Sequence, residues 1–325
     1  MRLDIRYRCS FEYDEPVRES HNELRVVPSS DQRQQLISAR VSTTPHARVF
    51  SSTDYWGTRT DAFGIREPHP RLEVIADATV ETRRMPLLAA APRFEALGVG
   101  SFREHHLEYL QPSPHCDWGS GTATEAARQK DLVGQDLVSV VLAIHRRVGA
   151  TLRYAPGTTY VGVPVEDVLS TGTGVCQDFA HVAVAMCRSI GIPARYVSGY
   201  LFTTADSSGV EPDGEAVRVQ THAWFEAAVP GAGWLALDPT NGTEVGVRHV
   251  KIGHGRDYDD IQPLRGVFSG KANQTLEVTV DIRRLPAGPE AAATRARSRP
   301  SPGVASPMEA QLLLAQRQQQ QQQQQ

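Results

Sequence analysis

The chain has 325 residues, enough for two domains, and 40% of them are hydrophobic, which is enough to bury a sizeable core. A formal net charge of −3 argues against nucleic acid or an anionic membrane as a partner. No apolar run approaches the ~18 residues that cross a bilayer, and the first residues lack the apolar centre of a signal peptide. Four cysteines in so long a chain do not make a disulfide framework, so we expect a reduced, cytoplasmic protein.

Strict alternation of apolar and polar residues marks two strands near the N-terminus. Residues 3–13 and residues 72–80 both alternate with a period of two, which is the pattern of a half-buried strand. Shorter strand candidates lie between them, at residues 23–27, 35–41 and 47–51. We therefore predict a small antiparallel β-sandwich over residues 1–83.

The next segment, residues 84–133, carries four prolines that argue against long elements, although residues 103–110 fit a short helix. His105, His106, His115 and Cys116 invite a metal hypothesis, but their spacing fits no compact ligand set, so no metal site is predicted. An amphipathic helix is predicted over residues 135–148, and a short helix over residues 165–169.

Cys176 stands where a glycine-rich loop meets an apolar helix. The apolar residues that follow it recur at spacings of three and four, and Gly191 followed by Pro193 predicts the end of the helix. A cysteine in the first turn of a helix feels the positive end of the helix dipole, which stabilises the thiolate. Because the thiolate is the nucleophilic form, Cys176 is the candidate nucleophile; the alternative is a small hydrophobic core residue.

His222 and Asp238 are the candidate partners of that thiol. Residues 217–229 are predicted to form one half-buried strand and residues 234–237 a second, joined by a tight glycine turn. In such a hairpin His222 and Asp238 lie side by side at one edge of the sheet. A nucleophilic thiol needs a base, and the base needs an orienting group, so the three residues fit one catalytic set.

Three blocks of sequence resemble the core of the transglutaminase-like superfamily, which uses papain-like chemistry. They are residues 172–180, residues 191–200, and residues 221–224 together with residues 238–240. Residues 1–83 also resemble the β-rich region that precedes this core in bacterial members. The resemblance implies an α+β fold in which helices pack on an antiparallel sheet, behind an N-terminal antiparallel β-sandwich.

The resemblance assigns Cys176 as the nucleophile, His222 as the general base and acid, and Asp238 as the group that orients His222. Cys176 would attack an amide of a peptide or protein substrate, and His222 would pass a proton to the departing amine, leaving a thioester. No cofactor is implied. The oxyanion hole would include the Cys176 backbone N–H, with one side-chain donor from Tyr154, Gln177 or Trp224.

The fate of the thioester separates the possible functions. Water gives hydrolysis, as in a cysteine protease or amidase, which is the function we favour. A primary amine gives protein-glutamine transglutamination instead, and the balance depends on how well the site excludes water. A third hypothesis is a non-catalytic peptide-binding scaffold, against which the intact set of three residues argues. Hydrolysis of a glycan-linked asparagine amide is a minor alternative.

Other polar residues near these blocks receive lesser roles. Asp178 is expected to face away from Cys176 on the helix, and His181 to lie more than a turn deeper, although His181 is the first substitute if His222 is not the base. His249 and His254 follow the hairpin in a glycine- and aspartate-rich stretch, and we expect them to be solvated loop residues.

The C-terminal part begins with a closing strand, predicted from alternation over residues 276–282. Beyond residue 286 hydrophobic residues nearly vanish, and the chain ends in eight glutamines. Such a segment buries too little surface to offset its ordering entropy, so we predict disorder. The predicted domains are thus a β-rich domain at 1–83, a catalytic core at 84–285 and a disordered tail at 286–325.

Overall fold

The computed structural model describes residues 1–85, 92–203 and 216–286. Within these ranges the strands are β1 Arg2–Leu24, β2 Gln34–Thr44, β3 Phe50–Thr53, β4 Arg59–Ile65, β5 His69–Thr82, β6 Arg153–Tyr154, β7 Thr173–Gly174, β8 Ala194–Leu201, β9 Ala216–Val219, β10 Thr221–Val229, β11 Gly233–Asp238, β12 Thr243–Glu244, β13 His249–Gly255, β14 Leu264–Ser269 and β15 Gln274–Arg284. The α-helices are α1 Gly100–His105, α2 Ser120–Val133, α3 Leu137–Thr151, α4 Val165–Thr171 and α5 Cys176–Ser189. Short 3-10 turns occur at Phe94–Gly98, Leu107–Leu110 and Tyr258–Ile261.

The N-terminal strands form a large antiparallel sheet around β1, the longest strand among the described residues. The first half of β1 lies between β5 and β15, and its second half lies between β4 and β14. The alternating pattern sends Leu3, Ile5 and Tyr7 into the core, where each is at most 3% exposed. The strand-rich N-terminal region is therefore confirmed.

Three later strands complete this first sheet. β15 pairs with β1 from Leu3 opposite Arg284 to Tyr13 opposite Gln274, and β9 extends the sheet on the outer side of β15. β14 pairs with the second half of β1. The predicted closing strand thus closes the N-terminal sheet, so strands from both ends of the chain share one hydrogen-bonded surface. The division into domains at residues 83 and 285 stays a prediction.

A second antiparallel sheet has the strand order β12-β11-β10-β8-β13 and carries the helices. The apolar residues Phe225, Ala227 and Val229 of β10 join one core cluster with side chains of α2, α3 and α5. Residues of β8 and β13, such as Tyr200 and Val250, join the core of the N-terminal strands instead. The arrangement confirms the predicted α+β fold, with helices packed on an antiparallel sheet.

The helix predicted over residues 135–148 is confirmed as α3, which begins after Asp136. The Asp136 carboxylate accepts hydrogen bonds from the backbone N–H groups of Val138 and Ser139, at 3.3 and 3.2 Å. Such an N-cap satisfies donors that have no partner inside the helix.

The sequence predicts no long element over residues 84–133. This prediction is wrong for the C-terminal part of the segment, where α2 has 14 residues. The prolines of this segment all precede residue 115, so nothing prevents a helix after them. The single strand predicted over residues 217–229 is also wrong. It divides into β9, which pairs with β15 in the first sheet, and β10, which pairs with β8 and β11 in the second.

Side chains and backbone groups join the two sheets across their interface. Gln34 of β2 accepts from the Lys251 backbone N–H at 2.7 Å and donates to the Lys251 carbonyl at 2.7 Å. The Tyr200 hydroxyl donates to the carbonyl of Val26 at 2.7 Å. These bonds fix the N-terminal strands against the second sheet.

None of the helices in the described ranges is long and apolar enough to cross a membrane. The predicted disordered tail, including the glutamine tract, lies outside the described residues apart from residue 286.

Candidate functional site

The start of α5 is built around Cys176, the first residue of the helix. The Asp178 carboxylate turns back to accept from the backbone N–H of Val175 at 2.8 Å and from the Thr159 hydroxyl at 2.6 Å. Asp178 therefore fixes the loop before the nucleophile. The N–H of Cys176 has no acceptor within its own helix, because the first four N–H groups of any helix lack one.

Among the four cysteines, Cys176 is partly exposed, whereas Cys9, Cys116 and Cys187 are buried. Burial raises the pKa of Cys9 to about 11, and it raises the pKa of both Cys116 and Cys187 to about 12. The three buried thiols are therefore poor sources of thiolate near neutral pH. Exposure and chemistry both single out Cys176.

The structure brings His222 and Asp238 together. His222 is the second residue of β10, Asp238 is the last residue of β11, and the two strands are paired. His222 Nε2 donates to Asp238 Oδ2 at 2.7 Å, and the Asp238 side chain is 0% exposed. With Nε2 engaged by Asp238, Nδ1 is the ring nitrogen of His222 that is left for another partner.

The other oxygen of Asp238 is held by the turn that follows β11. Oδ1 accepts from the backbone N–H groups of Thr240 and Asn241, at 3.0 and 3.1 Å. The Asn241 side-chain amide donates to Oδ2 at 2.7 Å. The Asp-Pro-Thr-Asn sequence thus provides both the carboxylate and the donors that orient it.

Electrostatics favour an imidazolium beside a carboxylate. Burial alone would lower the pKa of His222, but the hydrogen bond and charge of Asp238, followed by those of Cys176, raise it to about 10. Burial would raise the pKa of Asp238, but its bonds to His222 and His249 hold that pKa well below its usual range. The buried pair of His222 and Asp238 thus favours the charged form of both partners.

His249 is also bound to Asp238, which the sequence interpretation missed. The prediction of a solvated loop residue is wrong: His249 begins β13, is 8% exposed, and places Nε2 3.1 Å from Asp238 Oδ2. The signal in the sequence was the apolar pair Val250 and Ile252, which alternates with His249 and Lys251 as in a strand.

His254 lies in the same strand and is likewise not a solvated loop residue. Its Nε2 accepts from Arg195 at 3.0 Å, and Arg195 in turn donates to Glu226 at 2.6 Å. Lys251 donates to both oxygens of Glu226, at 2.8 and 3.0 Å. Burial lowers the pKa of Lys251 to about 8 despite the opposing effect of Glu226. This buried ion network supports the strands that carry the site.

His181 is separate from the candidate nucleophile. It is 4% exposed, and its Nε2 accepts from the backbone N–H of Tyr258 at 3.2 Å. A ring nitrogen that accepts a hydrogen bond carries no proton, which agrees with the lowering of the His181 pKa by burial.

Among the residues that the structure describes, two groups of side chains have an arrangement that could hold a metal ion. Ligand atoms lie within 4.8 Å of one another in the group His222, Asp238 and His249, and also in the group His115, Asp257 and Asp259. In the first group, the hydrogen bonds of His222 and His249 to Asp238 already explain why the three side chains lie close together. His105 and His106, considered with His115 in the sequence, contact backbone carbonyls of their own helix instead.

The three side-chain candidates for the oxyanion hole differ in position. Tyr154 pairs with Gly174, two residues before Cys176, and both burial and the charge of Cys176 raise its pKa. Trp224 is 1% exposed, and its indole N–H is buried without a partner. No contact distinguishes Gln177 among the described residues. Tyr154 is thus the candidate whose backbone is paired with the loop that leads to Cys176.

Known families match this chain in two consecutive segments. Residues 3–81 match the bacterial transglutaminase-like N-terminal region, and residues 124–239 match the transglutaminase-like superfamily. The second segment includes Cys176, His222 and Asp238.

Individual relatives extend the match. An uncharacterized protein of Mycobacterium leprae (strain TN) is 36% identical over 284 residues, which cover 87% of this chain and 99% of the relative. A protein-glutamine gamma-glutamyltransferase of Pseudomonas aeruginosa is 32% identical over 136 residues, 40% of this chain and 19% of that protein. The crystal structure of a provisionally assigned cysteine protease from Cytophaga hutchinsonii covers 86% of this chain and 90% of its own, with a TM-score of 0.62 and 23% identity. The last similarity is one of fold. The two family matches follow each other along the chain, and the relative from Mycobacterium leprae aligns over nearly its whole length. This chain therefore belongs to the transglutaminase-like superfamily and carries its bacterial N-terminal region.

Proposed function

We propose that this protein is a thiol enzyme that cleaves amide bonds, with Cys176 as the nucleophile, His222 as the general base and acid, and Asp238 as the group that orients His222. The observation that carries the proposal is the position of His222, which donates from Nε2 to the buried Asp238 at 2.7 Å and whose pKa is raised by Asp238 and then by Cys176. A cation beside a thiol favours the thiolate, the form that attacks a carbonyl.

The reaction proceeds in two stages. The Cys176 thiolate attacks the carbonyl carbon of a peptide or side-chain amide, and the electron pair of the C=O bond moves to oxygen. Collapse of this intermediate breaks the C–N bond, and the His222 imidazolium transfers its proton to the departing amine, leaving a thioester. A second nucleophile then attacks the thioester, with His222 as the base that accepts its proton, and the C–S bond breaks to release the product and restore the Cys176 thiolate.

The oxyanion of the intermediate needs hydrogen-bond donors. The Cys176 N–H is suited to this role, because it stands at the helix start without an intrahelical acceptor. Tyr154 is the side-chain donor that we favour, because its pairing with Gly174 brings it near Cys176. Trp224 is less suited, because its indole N–H is buried.

Hydrolysis is the outcome we favour for the thioester. Cys176 is partly exposed, so water can reach it without an opening of the fold. Protein-glutamine transglutamination is the second candidate, supported by the similarity to the Pseudomonas aeruginosa protein of that name. In either case the substrate is a peptide or protein amide, and the chemistry requires no cofactor.

A library of peptides that contain backbone and glutamine amides separates these outcomes. The purified chain is incubated with the library, with and without a primary amine, and the products are identified by mass spectrometry. Backbone cleavage with the addition of one water identifies a protease, and loss of ammonia with gain of water at a glutamine identifies an amidase. Replacement of that ammonia by the added amine identifies a transferase. Cys176→Ala should abolish either product, and Cys187→Ala, on the same helix, serves as the matched control. A folded protein that modifies no amide in the library would leave only the scaffold hypothesis.

A further inference from the structure

His249 makes a bond to the candidate triad that the cysteine, histidine and aspartate mechanism does not require. Asp238 Oδ2 accepts from three side chains: His222 at 2.7 Å, Asn241 at 2.7 Å and His249 at 3.1 Å. Asp238 is fully buried, so water does not contribute to this set. The carboxylate oxygen that His222 uses is therefore shared with a second imidazole.

The protonation of His249 follows from its other ring nitrogen. The backbone N–H of Gly246 donates to His249 Nδ1 at 3.2 Å, so Nδ1 must offer a lone pair. In the neutral ring the proton is then on Nε2, which faces Asp238 Oδ2. The tautomer that satisfies Gly246 is thus the one that donates to Asp238.

Local structure holds the ring in this orientation. The His249 backbone N–H donates to the Gly246 carbonyl at 3.0 Å, so residues 246 and 249 are bonded in both directions. The ring also meets the indole of Trp224 edge to face, with centroids 5.4 Å apart. β13 pairs with β8, so the backbone of His249 is anchored in the sheet. His249 therefore has little freedom to leave Asp238.

We propose that His249 is a positioning residue that donates from neutral Nε2–H to Asp238 Oδ2 and so moderates the hydrogen bond between Asp238 and His222. Donors that share one oxygen each withdraw electron density from it, so each bond is weaker than it would be alone. A moderated bond stabilises the His222 imidazolium less strongly, so the proton on Nδ1 is transferred more readily to a leaving amine. This inference deepens the proposed function and rests on it for its catalytic meaning.

The first experiment reads the ring nitrogens directly. Histidine is labelled with ¹⁵N in the full chain, and long-range ¹H–¹⁵N spectra distinguish protonated from unprotonated ring nitrogens. We expect His249 to carry its proton on Nε2, with Nδ1 unprotonated. A His249 protonated on Nδ1 would overturn the proposal, whatever the activity of the enzyme.

The second experiment compares two substitutions. His249→Phe removes the donor, so the His222 Nε2–H proton should move downfield as its bond to Asp238 strengthens. His249→Gln keeps an N–H that can reach Oδ2 and an oxygen that can accept from Gly246, so the resonance should stay near its wild-type position. A folded His249→Phe protein with an unmoved His222 resonance would contradict the proposal. If His249→Phe does not fold, the wild-type tautomer still decides.

A substrate-free control separates this inference from the proposed function. Cys176 is alkylated with iodoacetamide at pH 7 in the wild type and in His222→Gln. Equal rates would refute the proposed pairing of Cys176 with His222, whereas the His249 spectra test the bond to Asp238 independently. Faster alkylation in the wild type, together with the expected spectra, supports both.

Discussion

The backbone carbonyl of Asp238 accepts a hydrogen bond from Nε2 of His145, at 3.0 Å. His145 lies on α3, is 5% exposed, and has a pKa that burial lowers despite the opposing effect of Asp238. A neutral His145 ring with its proton on Nε2 agrees both with the bond to the Asp238 carbonyl and with the lowered pKa. Asp238 is thus held through its side chain by His222 and through its backbone carbonyl by His145 of α3.

Replacement of His145 should therefore destabilise the strand end that carries Asp238. His145→Leu leaves a buried carbonyl without its donor, which costs about 1–3 kcal/mol of unfolding free energy. Urea unfolding followed by circular dichroism measures this loss. His105→Leu is the matched control, because His105 is exposed and its ring contacts the carbonyl of Ser101 in its own helix, so its effect should stay within about 0.5 kcal/mol. Equal losses in the two variants would show that the bond to Asp238 contributes nothing.

Alkylation of the native protein should select one thiol. Iodoacetamide in limited amount is expected to label Cys176 first, because the other three thiols are buried and have raised pKa values. Peptide mapping by mass spectrometry identifies the labelled residue, and the same reaction in concentrated urea should label all four. Activity should disappear in proportion to labelling of Cys176. Loss of activity with label on Cys9 or Cys116 would contradict the assignment.

Asp238→Asn tests the orienting role of the carboxylate. An amide retains the shape of the side chain but no longer fixes the tautomer of His222 or stabilises its imidazolium. Turnover should fall by roughly 10⁴-fold, the loss seen when a triad aspartate is replaced in this way. Steady-state kinetics on an amide found in the library assay measure the change. A variant with near wild-type kcat would mean that Asp238 does not orient the base, and His181 would then have to be tested.

The loop and hairpin that carry the candidate site residues could be located in the sequence because the signals for these elements are local. The loop-to-helix junction at Cys176 and the hairpin that carries His222 and Asp238 each span fewer than about twenty residues of sequence. Periodicity and turn residues report such elements directly. The pairing of β15 with β1 joins residues some 270 positions apart, and alternation in either strand does not specify its partner.

β13 was hidden by its glycines, which normally indicate turns. Gly253 and Gly255 are instead required by packing. A Cβ on Gly253 would lie 2.1 Å from Thr58 Oγ1, and a Cβ on Gly255 would lie 2.3 Å from Cβ of Asp260. Glycine in a strand can mark such a close approach, but sequence alone does not reveal what approaches. Because β13 was not predicted, His249, its first residue, was not recognised as part of the site.

Arg188 should be one of the most sensitive positions for stability. Its buried guanidinium donates to the carbonyl of Ala194 at 3.0 and 2.9 Å, to that of Gln111 at 3.1 Å and to that of Arg256 at 2.7 Å. Arg188→Lys keeps the charge but loses the fork that reaches three segments, so we expect a loss of about 3 kcal/mol.

Urea unfolding of Arg188→Lys measures this loss. Arg128→Lys is the matched control, because Arg128 is 65% exposed and its ion pair with Glu125 spans 3.6 Å. An exposed pair of that kind contributes at most about 1 kcal/mol. Similar stabilities for the two variants would refute the role assigned to Arg188.

The pKa of His222 predicts how stability depends on pH. In the folded protein that pKa is about 10, against an ordinary value of 6.5. A raised pKa means that the fold favours the protonated ring, so this stabilisation is fully present below pH 6.5 and is lost as the pH rises through 10. The advantage of the wild type over His222→Gln in unfolding free energy should therefore be largest near pH 6 and decline steadily toward pH 10. Lys251, with its pKa of about 8, titrates in the same interval but is present in both proteins and cancels in the difference. Urea unfolding at pH 6, 8 and 10 measures the difference, and a constant value across that range would show that Asp238 does not hold His222 as an imidazolium.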